Sequence, residues 1–444
     1  MTIEQRINSL QKNISHKLFQ FVISSVASSH VNETKSILNK DATLSACIFY
    51  LLKNIAFSLF FIRKFSFGYK NKARDCDTLI YFGNYKTKTE VEFLKIILDQ
   101  ETIQSIFISD SLNSNSDIAL ERLNVPASLA LDYICDLSKL AFQLFSCLFK
   151  NKLSIYEFSV ATLALKNLGV HYKWIGLIKN SRTSSVVNFF SATTEGHALN
   201  YQSKNFGIKT LTYSWGSNAK SYEQYYSIQD VVMLKSKEEI NKYRFGKEVI
   251  IGDIGLRIIK RITPLKFDIC FIDTCYNDSF GLSDKIYLYT KIFKWLSTFE
   301  GIILHIVFHP GSIDLEVIEQ LAKKYFVGVT SSKYNLDEVL AQSKLTVNIN
   351  STELKTAMYS KIPVVNFAPL FFDSYLCNVK PPMFLISSAG IDVLCFKQLN
   401  SFNNFSEVIN AAFDEELYVQ FLNENGNSIN SKEKILKEIK NEML

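Results

Sequence analysis

Two clusters in the second half of the chain bring together groups able to hold a phosphate. His309, Pro310, Gly311 and Ser312 follow the apolar run IILHIVF. The proline ends a strand, the glycine permits close backbone approach, a helix begins soon after, and the imidazole offers a donor to an anion. Asn350, Ser351 and Thr352 follow the run KLTVNI and precede a helical pattern with Glu353 in its first turn. Two hydroxyls and free amides at a helix start make a second anion site. Each cluster also has a plainer reading: a histidine bonded to a loop carbonyl, and a Ser/Thr pair that only caps. The two clusters end different strands of one predicted sheet, and that pairing favours a shared ligand.

The first half of the chain offers groups that could move a proton. Glu195, in TTEGHALN, stands between a buried apolar run and a helix. A carboxylate there can take a proton from a hydroxyl, although the helix dipole alone also favours a glutamate at that position. Asp110, in FISDSLNSNSD, ends another run, where Asn113 and Asn115 read equally well as turn chemistry. His197 is the third candidate. Trp215 and Ser217, in YSWGSN, could line an acceptor groove, and Gly83 lies near the same edge. His305, inside its apolar run, reads as core. There is no Walker or GxGxxG pattern. Asp273 and Asp278 flank a cysteine-containing loop and read as structural, so no metal site is expected.

The elements that must position these groups show as short apolar runs alternating with amphipathic stretches, the pattern of βα units around a parallel sheet. Strands are predicted at 77–85, 105–112, 184–192 and 207–216, with helices at 89–99, within 127–168, and at 195–206, where Gly207 suits a left-handed stop. Residues 217–247 read as polar and tyrosine-rich, and the glycines of EVIIGDIGLRI suit a crossing between lobes. The alternation restarts with strands at 267–274, 301–309, 326–330, 344–350 and 362–368, and helices at 283–299, 315–325, 335–343 and 351–361. The predicted class is α/β, with two doubly wound Rossmann-like lobes whose strand C-termini face a common cleft.

Composition agrees with that class. A chain of 444 residues exceeds a single core, and 47% hydrophobic with 21% charged residues excludes a disordered or disulfide-scaffold protein. Lysine plus arginine at 49 against aspartate plus glutamate at 43 leaves +6, too small and too dispersed to argue for nucleic acid. The eight cysteines include no CxxC pair and read as reduced thiols of a cytosolic protein. The start, MTIEQRINSLQKN, has no apolar segment beside it, so no secretory signal is expected. Residues 46–67, ACIFYLLKNIAFSLFFIRKFSF, are interrupted by Lys53 and Asn54 and fall short of the ~20 apolar residues of a span. With Arg63, Lys64, Lys70, Lys72 and Arg74 they suit a helix lying on an anionic leaflet, and equally a helix buried against the first lobe. Residues 137–153 carry the same two readings.

A strand ending in His-Pro, then one ending in a Ser/Thr pair before a helix and an IPVV strand, resembles the donor half of GT-B glycosyltransferases. In particular it resembles the bacterial sialyltransferase and related capsule or lipopolysaccharide transferase families, with their HP and paired-serine motifs. The resemblance covers roughly residues 77–370. It implies that His309 with Pro310, and Ser351 with Thr352, contact the phosphate and nucleotide of a CMP-activated sugar; Gly311, Ser312 and Asn350, by their place in the same two clusters, are read as part of that donor site. Thr352 stands where those families have a second serine. The resemblance implies Glu195 as general base toward the acceptor hydroxyl. Thr194 stands where those families have the first of two adjacent acids, which leaves Asp110 or His197 as alternatives.

The implied activity is inverting, metal-independent transfer of a nonulosonic acid (sialic, pseudaminic or legionaminic type) to a glycan or lipid-linked glycan of a surface polysaccharide. It needs no cofactor beyond the CMP-sugar co-substrate. The implied organisation is a helical, membrane-associating extension over 1–72, an acceptor lobe over 73–250, a nucleotide-sugar lobe over 251–403, and helices over 404–444 that cross back to the first lobe. The implied location is the cytoplasm, peripheral on the inner face of the bacterial cytoplasmic membrane. A UDP-sugar or CDP-glycerol donor, a 2-epimerase and a non-catalytic surface-glycan assembly protein are the alternatives left open.

Overall fold

Strands buried on both faces read as continuous apolar runs, and the chain forms its two sheets from such runs. The computed structural model describes residues 44–66, 75–83, 88–111, 116–149, 155–189, 193–214, 227–241, 243–274, 280–375, 389–425 and 431–443. The first half comprises α1 (Leu44–Phe60), β1 (Phe65–Ser66), β2 (Thr78–Tyr81), α2 (Lys88–Gln100), β3 (Ser105–Ser109), β4 (Ile118–Ala119), β5 (Val125–Pro126), α3 (Ala130–Phe149), α4 (Ile155–Ser181), β6 (Ser185–Asn188), α5 (Thr194–Asn205), β7 (Lys209–Tyr213), β8 (Val231–Leu234) and β9 (Lys247–Ile250). The second comprises β10 (Phe267–Ile272), α6 (Leu282–Leu296), β11 (Ile303–Val307), α7 (Leu315–Lys323), β12 (Gly328–Ser332), α8 (Leu336–Ala341), β13 (Ser343–Asn348), α9 (Leu354–Tyr359), β14 (Val364–Asn366), α10 (Ala368–Tyr375) and β15 (Ile391–Asp392). Helices α11 (Phe405–Ala411), α12 (Glu415–Asn425) and α13 (Ser431–Met443) end the chain.

A seven-stranded sheet runs β4-β3-β2-β6-β7-β8-β9 and a six-stranded sheet runs β12-β11-β10-β13-β14-β15. All neighbours in both sheets are parallel. In each, the chain starts in the middle, adds strands toward one edge, then returns to the other side of its first strand. That reversal opens a crevice at the strand C-termini, between β2 and β6 in one lobe and between β10 and β13 in the other. The α/β class with two Rossmann-like lobes read from the sequence is the class observed.

Three differences from the sequence reading have local causes. The polar stretch 217–247 contains β8, whose four residues are all buried between β7 and β9. Helix α4 runs on to Ser181, where residues 127–168 were expected to hold the helices. The predicted helix at 351–361 starts only at Leu354, because a turn intervenes and Glu353 is the flanking residue, without a side-chain cap. Gly207 does stop α5 with φ +71°. His305 is core: its ring bonds Thr330 Oγ1 (2.7 Å) and Ser332 Oγ (3.0 Å). Cys76 and Cys270 are buried, Cys135 and Cys395 exposed, and all four are free.

Between the sheets the chain is fixed at both ends of its crossing. The Tyr213 hydroxyl donates to Asp253 Oδ1 (3.3 Å), and Gly255 N–H donates to the same oxygen (3.0 Å). Burial opposes the Asp253 charge, but Lys235 and Lys355 with these hydrogen bonds hold its carboxyl below the usual range. Four residues on, Arg257 Nη2 meets Glu353 Oε2 and Asp337 Oδ1, each at 2.8 Å. Helix α13 lies against β6 and β7, with Ile435 and Ile439 in the first lobe's core, and Ser431 Oγ donates to the Asp253 carbonyl (3.3 Å).

Beneath α5, His171 is fully buried with Nδ1 bonded to Gln202 Nε2 (3.1 Å). Burial, with the neighbouring His197, pushes its pKa down to about 3. The unfolded chain therefore takes up a proton below ~6.5 that the folded chain refuses, and stability falls as pH drops from there toward about 3. Between pH 7 and pH 5 this group alone should remove about 2 kcal/mol. Urea midpoints of wild type and His171→Gln at the two pH values check this: equal acid sensitivity in both proteins refutes it.

Candidate functional site

In the second lobe, β10 ends in two side chains that organise the crevice. Asp273 Oδ2 accepts from Ser312 Oγ (2.5 Å) and from the backbone N–H of His309 (3.3 Å). Its Oδ1 accepts from Tyr289 OH (2.5 Å) and pairs with Lys285 Nζ (2.8 Å), which also reaches Asp314 Oδ2 (2.9 Å). Asp273 thus fastens the loop after β11 to the end of β10 from below. Thr274 Oγ1 donates to Asn350 Oδ1, fastening the loop after β13 to the same strand end. The two sequence clusters therefore meet on either side of β10, at the switch point.

What each predicted donor residue offers follows from these bonds. Gly311 N–H donates to His309 Nδ1 (3.0 Å), so Nε2 carries the imidazole proton and is the atom left to donate outward. Burial lowers the His309 pKa, the Asp273 charge opposes, and Lys285 and Lys333 lower it further, so the ring is neutral near pH 7. Pro310 and Gly311 are exposed on the loop. Ser312 turns inward: it is buried and its hydroxyl is taken by Asp273, so it positions the loop. The N-terminus of α7 was expected to face a phosphate, but Asp314 stands at that end, buried and paired with Lys285. In the other loop, Ser351 N–H donates to Asn348 Oδ1 (3.1 Å) and Glu353 N–H donates to Ser351 Oγ (3.3 Å). Ser351 keeps its own hydroxyl proton to give, and Thr352 is exposed beside it.

In the first lobe, Tyr81, Asp110 and Glu195 gather at the ends of β2 and β3 and at the start of α5. The Tyr81 hydroxyl donates to Asp110 Oδ1 (2.6 Å). Burial first, then the charges of Asp110 and Glu195, raise its pKa well above the ordinary phenol value, so it remains a donor. Thr193 caps α5, accepting from Gly196 N–H (3.1 Å), and Trp174 Nε1–H donates to the Glu195 carbonyl (3.0 Å), fixing the backbone that carries the carboxylate. Lys173 faces the same group; burial and Lys64 bring its pKa down to about 8 against the pull of Glu195, Glu121 and Asp110. His197, in α5, is fully buried on the side of that helix that meets His171, and out of reach of a ligand in the crevice. Trp215, Ser217 and Asp278 lie outside the described residues. Among the described residues no group of three or more His, Cys, Asp or Glu is placed to hold a metal ion.

Sequence reasoning overlooked Lys285, Tyr289, Lys333, Tyr81 and Lys173, and set Asp273 aside. One signal was present. Lys285 falls on the helical stripe of Leu288, Tyr289, Ile292, Phe293 and Leu296, where a lysine needs an internal partner.

No protein-family model matches the chain, and no curated protein matches it. Among solved structures it is similar to MurG of Acinetobacter baumannii, at 11% identity over 82% of this chain and 99% of that one, with a TM-score of 0.46. It is similar to a Listeria monocytogenes protein described as a UDP-N-acetylglucosamine 2-epimerase, at 11% identity, 82% and 95% coverage and a TM-score of 0.49. It is also similar to the wall teichoic acid polymerase TagF, at 12% identity, 89% and 97% coverage and a TM-score of 0.46. Residue roles in this chain follow from its own geometry.

Proposed function

We propose that the protein is a cytoplasmic, inverting glycosyltransferase that moves a nonulosonic acid from a CMP-sugar to a glycan or lipid-linked glycan acceptor. The observation that carries this reading is the convergence of the His309 and Ser351 loops on one strand end, each tied there by a residue of β10. A phosphate seated between them would accept from His309 Nε2–H and from the Ser351 and Thr352 hydroxyls, with the Lys333 cation close by. In the reaction, Glu195 takes the acceptor's hydroxyl proton, the acceptor oxygen bonds to the anomeric carbon, and the bond from that carbon to the CMP phosphate breaks. The leaving CMP carries the electron pair, which the His309 side of the crevice stabilises. The chemistry is assigned to protein groups, with no metal and no cofactor beyond the co-substrate, and the Asp273 carboxylate, occupied by four donors, has the role of holding the loop after β11.

Calorimetric titration of CMP, CDP, UDP and GDP tests this. Selective CMP binding is expected, weakened roughly tenfold or more by His309→Ala and by Ser351→Ala, each removing a hydrogen bond to a charged group. Preference for UDP or CDP would replace the donor. Absence of any nucleotide binding would overturn the reading in favour of a non-catalytic assembly protein.

A further inference from the structure

Helix α1 has two opposed faces. Leu51, Asn54 and Ser58 pack on α4, where Asn54 Nδ2 donates to Thr162 Oγ1 (3.1 Å) and Ser58 Oγ to the Leu165 carbonyl (2.6 Å). Phe49, Leu52, Phe57 and Phe60 point the other way and are 64, 54, 59 and 63% exposed. Helix α3 repeats the pattern: Tyr133, Leu137, Leu140 and Leu144 are buried, while Leu131, Ile134 and Phe142 are 71, 39 and 75% exposed. The two helices adjoin, since the Tyr133 hydroxyl donates to the Ser58 carbonyl (2.8 Å) and its ring meets Phe61 (centroids 5.4 Å apart). Both rest on α4, so both apolar stripes look away from the lobe.

Cations accompany the stripes. Lys53 is exposed within that of α1, Arg63 lies over the Phe60 ring at 4.0 Å, and Lys139 is exposed on α3. Of the acids on α3, Asp136 accepts from the Tyr172 hydroxyl (2.8 Å) and lies 3.9 Å from Lys139, leaving Asp132 exposed. We propose that the α1–α3 face docks on the surface of an anionic lipid bilayer. Phenylalanine and leucine would enter the headgroup boundary while the cations pair with lipid phosphates. A second copy fits less well, because a two-fold contact would bring the same cations together.

The face is continuous with the first-lobe site. Lys64, just after α1, donates to the Glu121 carbonyl (3.2 Å), and Lys173, which faces Glu195, donates to the Leu120 carbonyl (2.7 Å). Resting on the function proposed above, a docked bilayer would hold a lipid-linked acceptor at this edge.

Flotation of the full chain with vesicles of phosphatidylcholine, with and without phosphatidylglycerol, tests the docking. Binding is expected only with phosphatidylglycerol and should weaken in high salt. Phe57→Glu with Phe142→Glu should lower it roughly tenfold or more, and Lys53→Glu or Arg63→Glu roughly fivefold each. Nucleotide affinity should stay unchanged in all four substitutions, which shows an intact fold and separates this proposal from the one on activity. No vesicle binding, binding unaffected by the variants, equal binding without phosphatidylglycerol, or a dimer that Phe57→Glu dissociates would each overturn it.

Discussion

Asp273→Ala is expected to cost about 3–5 kcal/mol of stability and to abolish nucleotide binding, although the side chain touches no ligand. Lys285 and Asp273 have no side-chain exposure and Asp314 has 4%. Removing one carboxylate leaves the buried ammonium short of one of its two carboxylate neighbours and strips acceptors from Tyr289, Ser312 and the His309 amide. Such a loss is large because the remaining groups keep their desolvation penalty without the matching attraction. Lys285→Met should be comparably harmful, since Asp273 and Asp314 would then face each other without a cation. The double variant Asp273→Asn/Lys285→Met should recover part of the loss, because it removes both the ammonium and the carboxylate it neutralises. Hydrogen exchange of the β10, β11 and β13 amides, with calorimetry of nucleotide binding, reads both effects. Near-native protection in either single variant would mean that the charges are not desolvated and the loops are held by something else.

This network explains which parts of the protein the sequence disclosed. Parallel strands reveal themselves because burial on both faces demands runs such as FDICFI and ILHIV, and turn chemistry marks where they stop. The His309 and Ser351 clusters were therefore legible as strand ends. Their tethers were not, since a lysine in an amphipathic helix usually reads as solvated, and only its place on the apolar stripe of α6 betrays Lys285. Ser312 shows the converse limit. Its type and position suggested a ligand contact, but whether a hydroxyl points into a crevice or beneath a loop depends on Asp273, 39 residues away in sequence. Strand β8 was hidden for a third reason: four apolar residues inside a polar stretch carry too little periodicity to mark a strand until β7 and β9 flank them. His197 was lost because α5 is buried along most of its length, so that helical position alone did not say which face meets solvent.

Glu195→Gln should lower the transfer rate roughly 10²–10⁴-fold, the usual weight of a general base, while leaving nucleotide affinity intact. Two carboxylates compete for the role, and their surroundings separate them. Asp110 accepts a hydrogen bond from Tyr81 OH (2.6 Å), and that bond restrains the carboxylate against turning toward an acceptor hydroxyl. Glu195 sits in the first turn of α5, its backbone fixed by the Thr193 cap and by the Trp174 indole. Asp110→Asn is therefore expected to raise the acceptor KM more than it lowers the rate of a single turnover. Lys173 adds a pH signature. With its pKa at about 8, it is a cation beside both acids below that pH and loses its charge as pH rises through it. Rate should accordingly fall above about pH 8 in the wild type, and Lys173→Met should be slower but lack that alkaline limb. Single-turnover rates with a CMP-sugar across pH decide the assignment. If Asp110→Asn rather than Glu195→Gln removes the chemical step, Asp110 is the base and Glu195 orients the acceptor, as its place at a helix start also allows.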